Sequence, residues 1–217
     1  MITTVILDLD GLLADTERLH CRAYQMAMLE HGVDLEEDDY CEHWVRNGRG
    51  IDDWVIKHHL NLEPHALRLR KSEHYQSLLR SSLRPMDGAQ GLLNRLRGRM
   101  RIGLASSSYP DAIDGVINGL KIAQYFEVIV SGLDVARVKP APDIFLKAAR
   151  DLGVSSPECV VLEDAEKGVV AAHRAGMRCV AVPNDYTRHH DFSKATRVCA
   201  SLNEITIDFL RTLERGA

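Results

Sequence analysis

From Thr3 to the end, apolar positions come in two rhythms. Short continuous runs, Thr3–Leu9, Arg101–Ala105, Phe126–Val130, Cys159–Glu163, Arg178–Val182 and Arg197–Cys199, have the near-unbroken Val/Ile/Leu character of strands covered on both faces. Between them lie helical patterns. In 143–153 the apolar residues 144, 145, 148, 149 and 152 share one face, Asp143 is placed to cap the start and Gly153 to end the helix. Val169, Val170 and Ala172, stopped by Ala175-Gly176, mark another helix. Strands alternating with helices predict an α/β fold with a doubly wound parallel sheet.

Residues 16–82 follow a different rule. Leu19, Ala23, Met26 and Ala27 repeat at helical spacing, and no strand-like run occurs before Arg101. The pattern predicts an all-helical insertion, 16–82, after the first strand, with Pro85 and Gly88 marking the return. Residues 1–15 and 83–217 then form the sheet-bearing core. Trp44 and Trp54 are expected in the packing of the helical part.

Composition narrows the classes. The 217 residues are 45% hydrophobic and 27% charged, with net charge −4, enough for a packed core and no basic footprint for nucleic acid. No apolar run reaches the ~18–20 residues of a membrane span, and the N-terminus lacks a secretory pattern. Five cysteines without a CxxC pair suit a reduced compartment, so a cytoplasmic location is expected, with monomer as the default. Cys159, Cys179 and Cys199, spaced by one strand–helix–strand step, read as small buried residues. Ten histidines include the pairs His58-His59 and His189-His190, but no HExxH accompanies them. The Pro183–Arg188 string reads as a surface loop with no role.

In a doubly wound sheet, ligands bind beyond the carboxyl ends of the strands. At those exits stand Asp8-Leu9-Asp10-Gly11, Ser106-Ser107-Ser108, Lys139-Pro140 and Glu163-Asp164. Any one of these alone is an ordinary cap or turn. Together they are a crowd of carboxylates, hydroxyls and one ammonium. Crowded carboxylates need a cation, and an all-oxygen set suits Mg²⁺. Lysine and serine opposite it suit a phosphoryl group, with Gly11 permitting a tight turn whose N–H groups approach the anion. The chain has no GxxxxGK[ST], GxGxxG or GxSxG motif.

These four segments, Asp8–Glu17, Gly103–Ser108, Lys139–Phe145 and Leu162–Gly168, resemble in order and spacing the four signatures of the haloacid-dehalogenase-like superfamily. The nearest likeness is to its helical-cap branch of sugar-phosphate phosphatases and beta-phosphoglucomutases. The resemblance implies a Rossmann-like core with an inserted helical cap, Asp8 as nucleophile and Asp10 as general acid and base. It implies Mg²⁺ held by Asp8, the Asp10 carbonyl and Asp164, with Glu163 at or just behind the metal. Ser106 and Lys139 would hold the phosphoryl oxygens. Gly11, Thr16, His20, Arg49, Lys71 and Ser107 would line the substrate side. Asp10 argues against a dehalogenase, because a departing halide needs no proton. The implied activity is phosphoryl transfer from a small phosphorylated metabolite, a sugar or polyol phosphate, with a phosphomutase as the alternative. A phosphate-sensing protein without catalysis would be expected to lack one of Asp8, Asp10, Lys139 or Asp164.

Overall fold

A computed structural model describes residues 1–213. The chain divides into two compact units: residues 1–15 with the chain from Arg84 onward, and Thr16–Leu83.

The first unit is built on six parallel strands, β1 (Thr4–Leu7), β2 (Arg101–Ala105), β3 (Val128–Val130), β4 (Cys159–Glu163), β5 (Arg178–Ala181) and β6 (Arg197–Val198), in the order β3-β2-β1-β4-β5-β6. The order reverses at β1, so the crevice at its carboxyl end is the topological switch point. Leu7 is in register with Leu104 of β2 and with Leu162 of β4. Asp8 therefore emerges level with Ala105 and Glu163, and its N–H donates to the Leu162 carbonyl at 3.0 Å.

Every residue of β1 and β4 is buried, as their unbroken apolar runs require. The helices Asp143–Asp151 and Glu166–Arg174 contribute Ile144, Phe145, Ala148, Val169 and Ala172 to one core with Ile6, Val161 and Cys179. The strands are shorter than the apolar runs by up to three residues, although single backbone bonds such as Asp8 N–H to the Leu162 carbonyl continue past the strand ends. Asp143 does not cap the helix that it begins. Pro142 holds the cap position, and Asp143 sits in the first turn, where Arg137 clamps it at 2.9 and 3.1 Å. Cys159, Cys179 and Cys199 are buried free thiols.

The helical unit contains α1 (Glu17–Leu29), α2 (Glu37–Tyr40) running into a π-helical turn (Cys41–Arg46), α3 (Ile51–Lys57) and α4 (Pro64–Ser82). Helices α1 and α4 pack together, with Leu19, Ala23, Ala27 and Met28 buried on α1 and Leu67, Tyr75 and Leu79 buried on α4. Met28 takes the inward position expected of Met26. Trp44 and Trp54 lie 5.1 Å apart between ring centroids, beside Tyr24, Tyr40 and His58, as packing residues should.

The chain leaves the sheet unit and re-enters it side by side. Asp15 N–H donates to the Arg84 carbonyl at 3.1 Å, Arg84 Nε reaches Asp15 Oδ2 at 2.7 Å, and Met86 N–H donates to the Leu13 carbonyl at 3.0 Å. Ala14 and Pro85 form an antiparallel bridge across this clasp. No helix among the described residues is long and apolar enough to cross a membrane.

Candidate active site

Three strands that end at the same level bring their exit residues together. Lys139 Nζ lies 2.5 Å from Asp8 Oδ1, 2.6 Å from Glu163 Oε1 and 2.9 Å from the Ala105 carbonyl, so all three of its N–H bonds are used. Its side chain is 1% exposed and crosses the Phe145 ring at 4.9 Å. A buried ammonium is tolerable only when fully paired, and this one is.

The second oxygen of Glu163 accepts the N–H groups of Asp164 and Ala165 at 3.1 and 3.2 Å. Glu163 is thus committed to Lys139 and to the backbone of Asp164 and Ala165. Its carboxylate lies directly over Gly168, where a Cβ would come within 1.8 Å of Glu163 Oε1. Any larger residue there would have to displace the Glu163 carboxylate from its place beside Lys139.

Ligand atoms of Asp8, Glu163 and Asp164 lie within 4.8 Å of one another, and all three residues are buried. With Asp10 nearby, four carboxylates face one ammonium. Burial pushes the Asp8 carboxyl up; Lys139 opposes this, but Glu163 and Asp10 reinforce it, and the net result is about 7. For Lys139 burial acts downward, yet Asp8 and Glu163 outweigh it and hold the group protonated above the usual lysine range. The uncompensated negative charge and the hard oxygen donors fit a divalent cation such as Mg²⁺.

Asp10 Oδ2 accepts from the hydroxyls of Ser106 at 3.0 Å and Ser108 at 2.8 Å, while Ser108 N–H donates to Ser106 Oγ at 3.1 Å. The Ser106 O–H, expected to face a phosphoryl group, is directed here at Asp10. Ser108 is an addition the sequence did not single out. The Ser107 hydroxyl is buried without a hydrogen-bond partner, and its carbonyl packs where a Cβ on Gly132 would come within 2.3 Å. Gly11 has φ +79, as its turn demands, but its N–H donates to the Ala14 carbonyl at 2.9 Å and is not offered to an anion. Its second requirement is space, since a Cβ would come within 2.4 Å of Asp164 Oδ2.

Pro183–Arg188 corrects the reading of a surface loop without a role. Thr187 is buried, and Asn184 reaches inward, with its Nδ2 2.9 Å from Asp164 Oδ2 and 3.0 Å from the Gly11 carbonyl. No motif marked Asn184; its one sequence signal was a position directly beyond a strand exit.

Thr16, His20, Arg49 and Lys71 belong to the helical unit. There the fold brings His20 and Lys71 together, with Lys71 Nζ 2.6 Å from His20 Nδ1. The His20 ring stacks on Tyr75 at 4.1 Å, and the ammonium sits over Tyr24 and Tyr75 at 5.0 and 4.8 Å. Lys71 is therefore not a solvated helix-face lysine. Thr16 is buried before α1, and Arg49 is exposed on the turn before α3, its N–H bonded to the His43 carbonyl at 3.0 Å.

Known proteins are similar to this chain. The family described as haloacid dehalogenase-like hydrolase matches residues 5–182. Beta-phosphoglucomutase of Bacillus subtilis is 35% identical, over 82% of each chain, and fructose-1-phosphate phosphatase YqaB of Escherichia coli is 31% identical, over 82% of this chain and 95% of its own. The crystal structure of CbbY from Rhodobacter sphaeroides in complex with phosphate superposes with a TM-score of 0.80 at 29% identity, covering 94% of this chain and 96% of that one. The six-stranded parallel sheet, the acids at its switch point and these matches have one meaning: the chain belongs to the haloacid dehalogenase-like hydrolase family.

Proposed function

We propose that this protein is a Mg²⁺-dependent phosphatase of small phosphorylated metabolites, a sugar or polyol phosphate, acting through an aspartyl-phosphate on Asp8. The observation that carries the reading is the buried set of Asp8, Glu163 and Asp164 around Lys139, which leaves net negative charge at the switch point of the sheet.

Asp8, Asp164 and the Asp10 backbone carbonyl would hold the cation, with Glu163 behind them. When bound, Mg²⁺ neutralises charge on the nucleophile and on the phosphoryl oxygens. An Asp8 carboxylate oxygen attacks phosphorus, the bond to the ester oxygen breaks, and Asp10 gives that oxygen its proton. Asp10, now a carboxylate, takes a proton from water, whose oxygen attacks phosphorus and breaks the bond to Asp8. Lys139 lowers repulsion between nucleophile and substrate, and the Ser106 hydroxyl turns from Asp10 to a phosphoryl oxygen. The helical unit serves as a cap, with Thr16, His20, Arg49 and Lys71 reading the substrate.

A phosphomutase is the second reading, favoured by the 35% identity to beta-phosphoglucomutase and by the paired His20 and Lys71 in the helical unit. One assay separates the two. Inorganic phosphate release from p-nitrophenyl phosphate and a sugar-phosphate panel is expected with Mg²⁺ and lost in EDTA. Conversion of beta-glucose 1-phosphate to glucose 6-phosphate without phosphate release would establish the mutase. A rate indifferent to EDTA, or no turnover at all, would remove the proposed chemistry.

A further inference from the structure

Aspartate rotates broadly about its terminal bond, so a carboxylate that must present one oxygen to a cation needs another group to fix its angle. Asp164 has such a group in Asn184. We propose that Asn184 is a positioning residue for the cation site, its side-chain amide bonded at once to Asp164 Oδ2 and to the Gly11 carbonyl.

The amide's own orientation is fixed by its other end. Asn184 Oδ1 accepts the N–H groups of Tyr186 at 2.8 Å and Thr187 at 3.2 Å, so the nitrogen must be the end that faces Asp164. The turn beneath it is braced. Asn184 N–H donates to Thr187 Oγ1 at 3.0 Å, and the Asn184 carbonyl accepts from Thr187 and Arg188 at 3.1 and 2.9 Å. With Oδ1 and both Nδ2 hydrogens engaged, the side chain has no alternative pose that keeps its bonds.

A turn-capping role alone does not account for this. Capping uses only the side-chain oxygen, which Ser or Asp supplies equally well. The two donations from Nδ2 are the part that needs an amide. They tie the loops after β1, β4 and β5 at one point, and Gly11 is stripped of a Cβ there because one would fall 2.8 Å from Asn184 Nδ2. An acid at 184 would turn a carboxylate oxygen toward two acceptors in a site already rich in negative charge. Asn184 supplies orientation without adding charge.

This inference rests on the cation reading of Asp8 and Asp164 above. The test is Mg²⁺ titration by calorimetry, without substrate, of the parent chain, Asn184→Ala and Asn184→Ser. The serine variant keeps an oxygen for the turn but cannot reach Asp164. Both are expected to bind Mg²⁺ about 10-fold or more weakly. The KM for p-nitrophenyl phosphate at saturating Mg²⁺ should stay within about twofold, the pattern of a misaligned cation ligand and not of a lost substrate contact. Variants that melt earlier but bind Mg²⁺ like the parent overturn this inference alone. A parent chain that binds no Mg²⁺ overturns it together with the proposed function. If neither variant folds, Asn184 is a fold determinant and the inference falls.

Discussion

Each unit of this protein holds one basic side chain between two acids, and the two arrangements are nearly superposable in distance. In the sheet unit Lys139 lies 2.5 and 2.6 Å from Asp8 and Glu163; in the helical unit Arg70 lies 2.7 and 2.6 Å from Glu30 and Glu73. Solvent separates them. The Lys139 side chain is 1% exposed and that of Arg70 is 47% exposed. Around Arg70 water screens each charge, so the cluster contributes little to stability. Around Lys139 no water dilutes the field, so each charge alters its neighbours: Asp8 is driven up to about 7, whereas hydrogen bonds from Arg70 and His74 hold Glu30 down at about 2. Burial makes identical geometry into chemistry.

The severest test of this contrast is Asp8→Asn, expected to keep the circular-dichroism spectrum of the parent while p-nitrophenyl phosphate hydrolysis falls by about 10⁴-fold or more. Residual turnover near the parent's would move the nucleophile elsewhere. Next comes the pair itself. Lys139→Ala leaves two buried carboxylates facing each other and should cost about 3–5 kcal/mol in urea denaturation, with turnover down roughly 10²–10³-fold. Arg70→Ala should leave the urea midpoint close to the parent's. Comparable midpoint shifts in the two variants would erase the distinction drawn here.

A smaller effect is expected from Gly168→Ala, whose methyl would enter the Glu163 carboxylate and displace it from Lys139. A loss of about 1–3 kcal/mol in the same titration checks it, and an unaltered midpoint would mean that Glu163 is free to move aside. The least is a slope with pH. Because the folded-state pKa of Asp8, about 7, lies above its ordinary 3.8, the folded chain holds that proton more tightly. Its contribution is complete below pH 3.8 and disappears as pH rises to about 7. In EDTA the parent should therefore lose melting temperature relative to Asp8→Asn across that window, and Mg²⁺ should flatten the difference. Glu30, with its folded value below its ordinary one, has the opposite sign and weakens only in acid. A parent-minus-variant difference that rises with pH would contradict the assignment of Asp8.

The sheet and its exits were legible because they depend on local rules. Strands buried on both faces must be continuously apolar, and residues just past them must reach the crevice. Asp8, Asp10, Lys139, Glu163 and Asp164 could thus be placed from order alone. What stayed hidden depended on partners far away in sequence. Asn184 meets Gly11 across 173 residues, and nothing near it announces the meeting. The Ser106 hydroxyl could be put at the site but not aimed, since its acceptor, Asp10, lies 96 residues away. The surroundings of Lys71 could not be read because the rings beside it, Tyr24 and Tyr75, come from two different helices. Asp143 misled by composition: an acid at a helix start is a natural cap, but the proline before it took the position.

The clasp between Asp15 and Arg84 has an evolutionary corollary. Since the two crossings are already fastened to each other within the sheet unit, whatever is spliced between them begins and ends at one fixed doorway, and lengthening or shortening it adds only a slowly growing entropic cost. The stretch from Thr16 to Leu83 can accordingly be rewritten, traded or trimmed by recombination while the strand carrying Asp8 keeps its seat. A lineage can revise the insertion without disturbing the sheet exit that it interrupts.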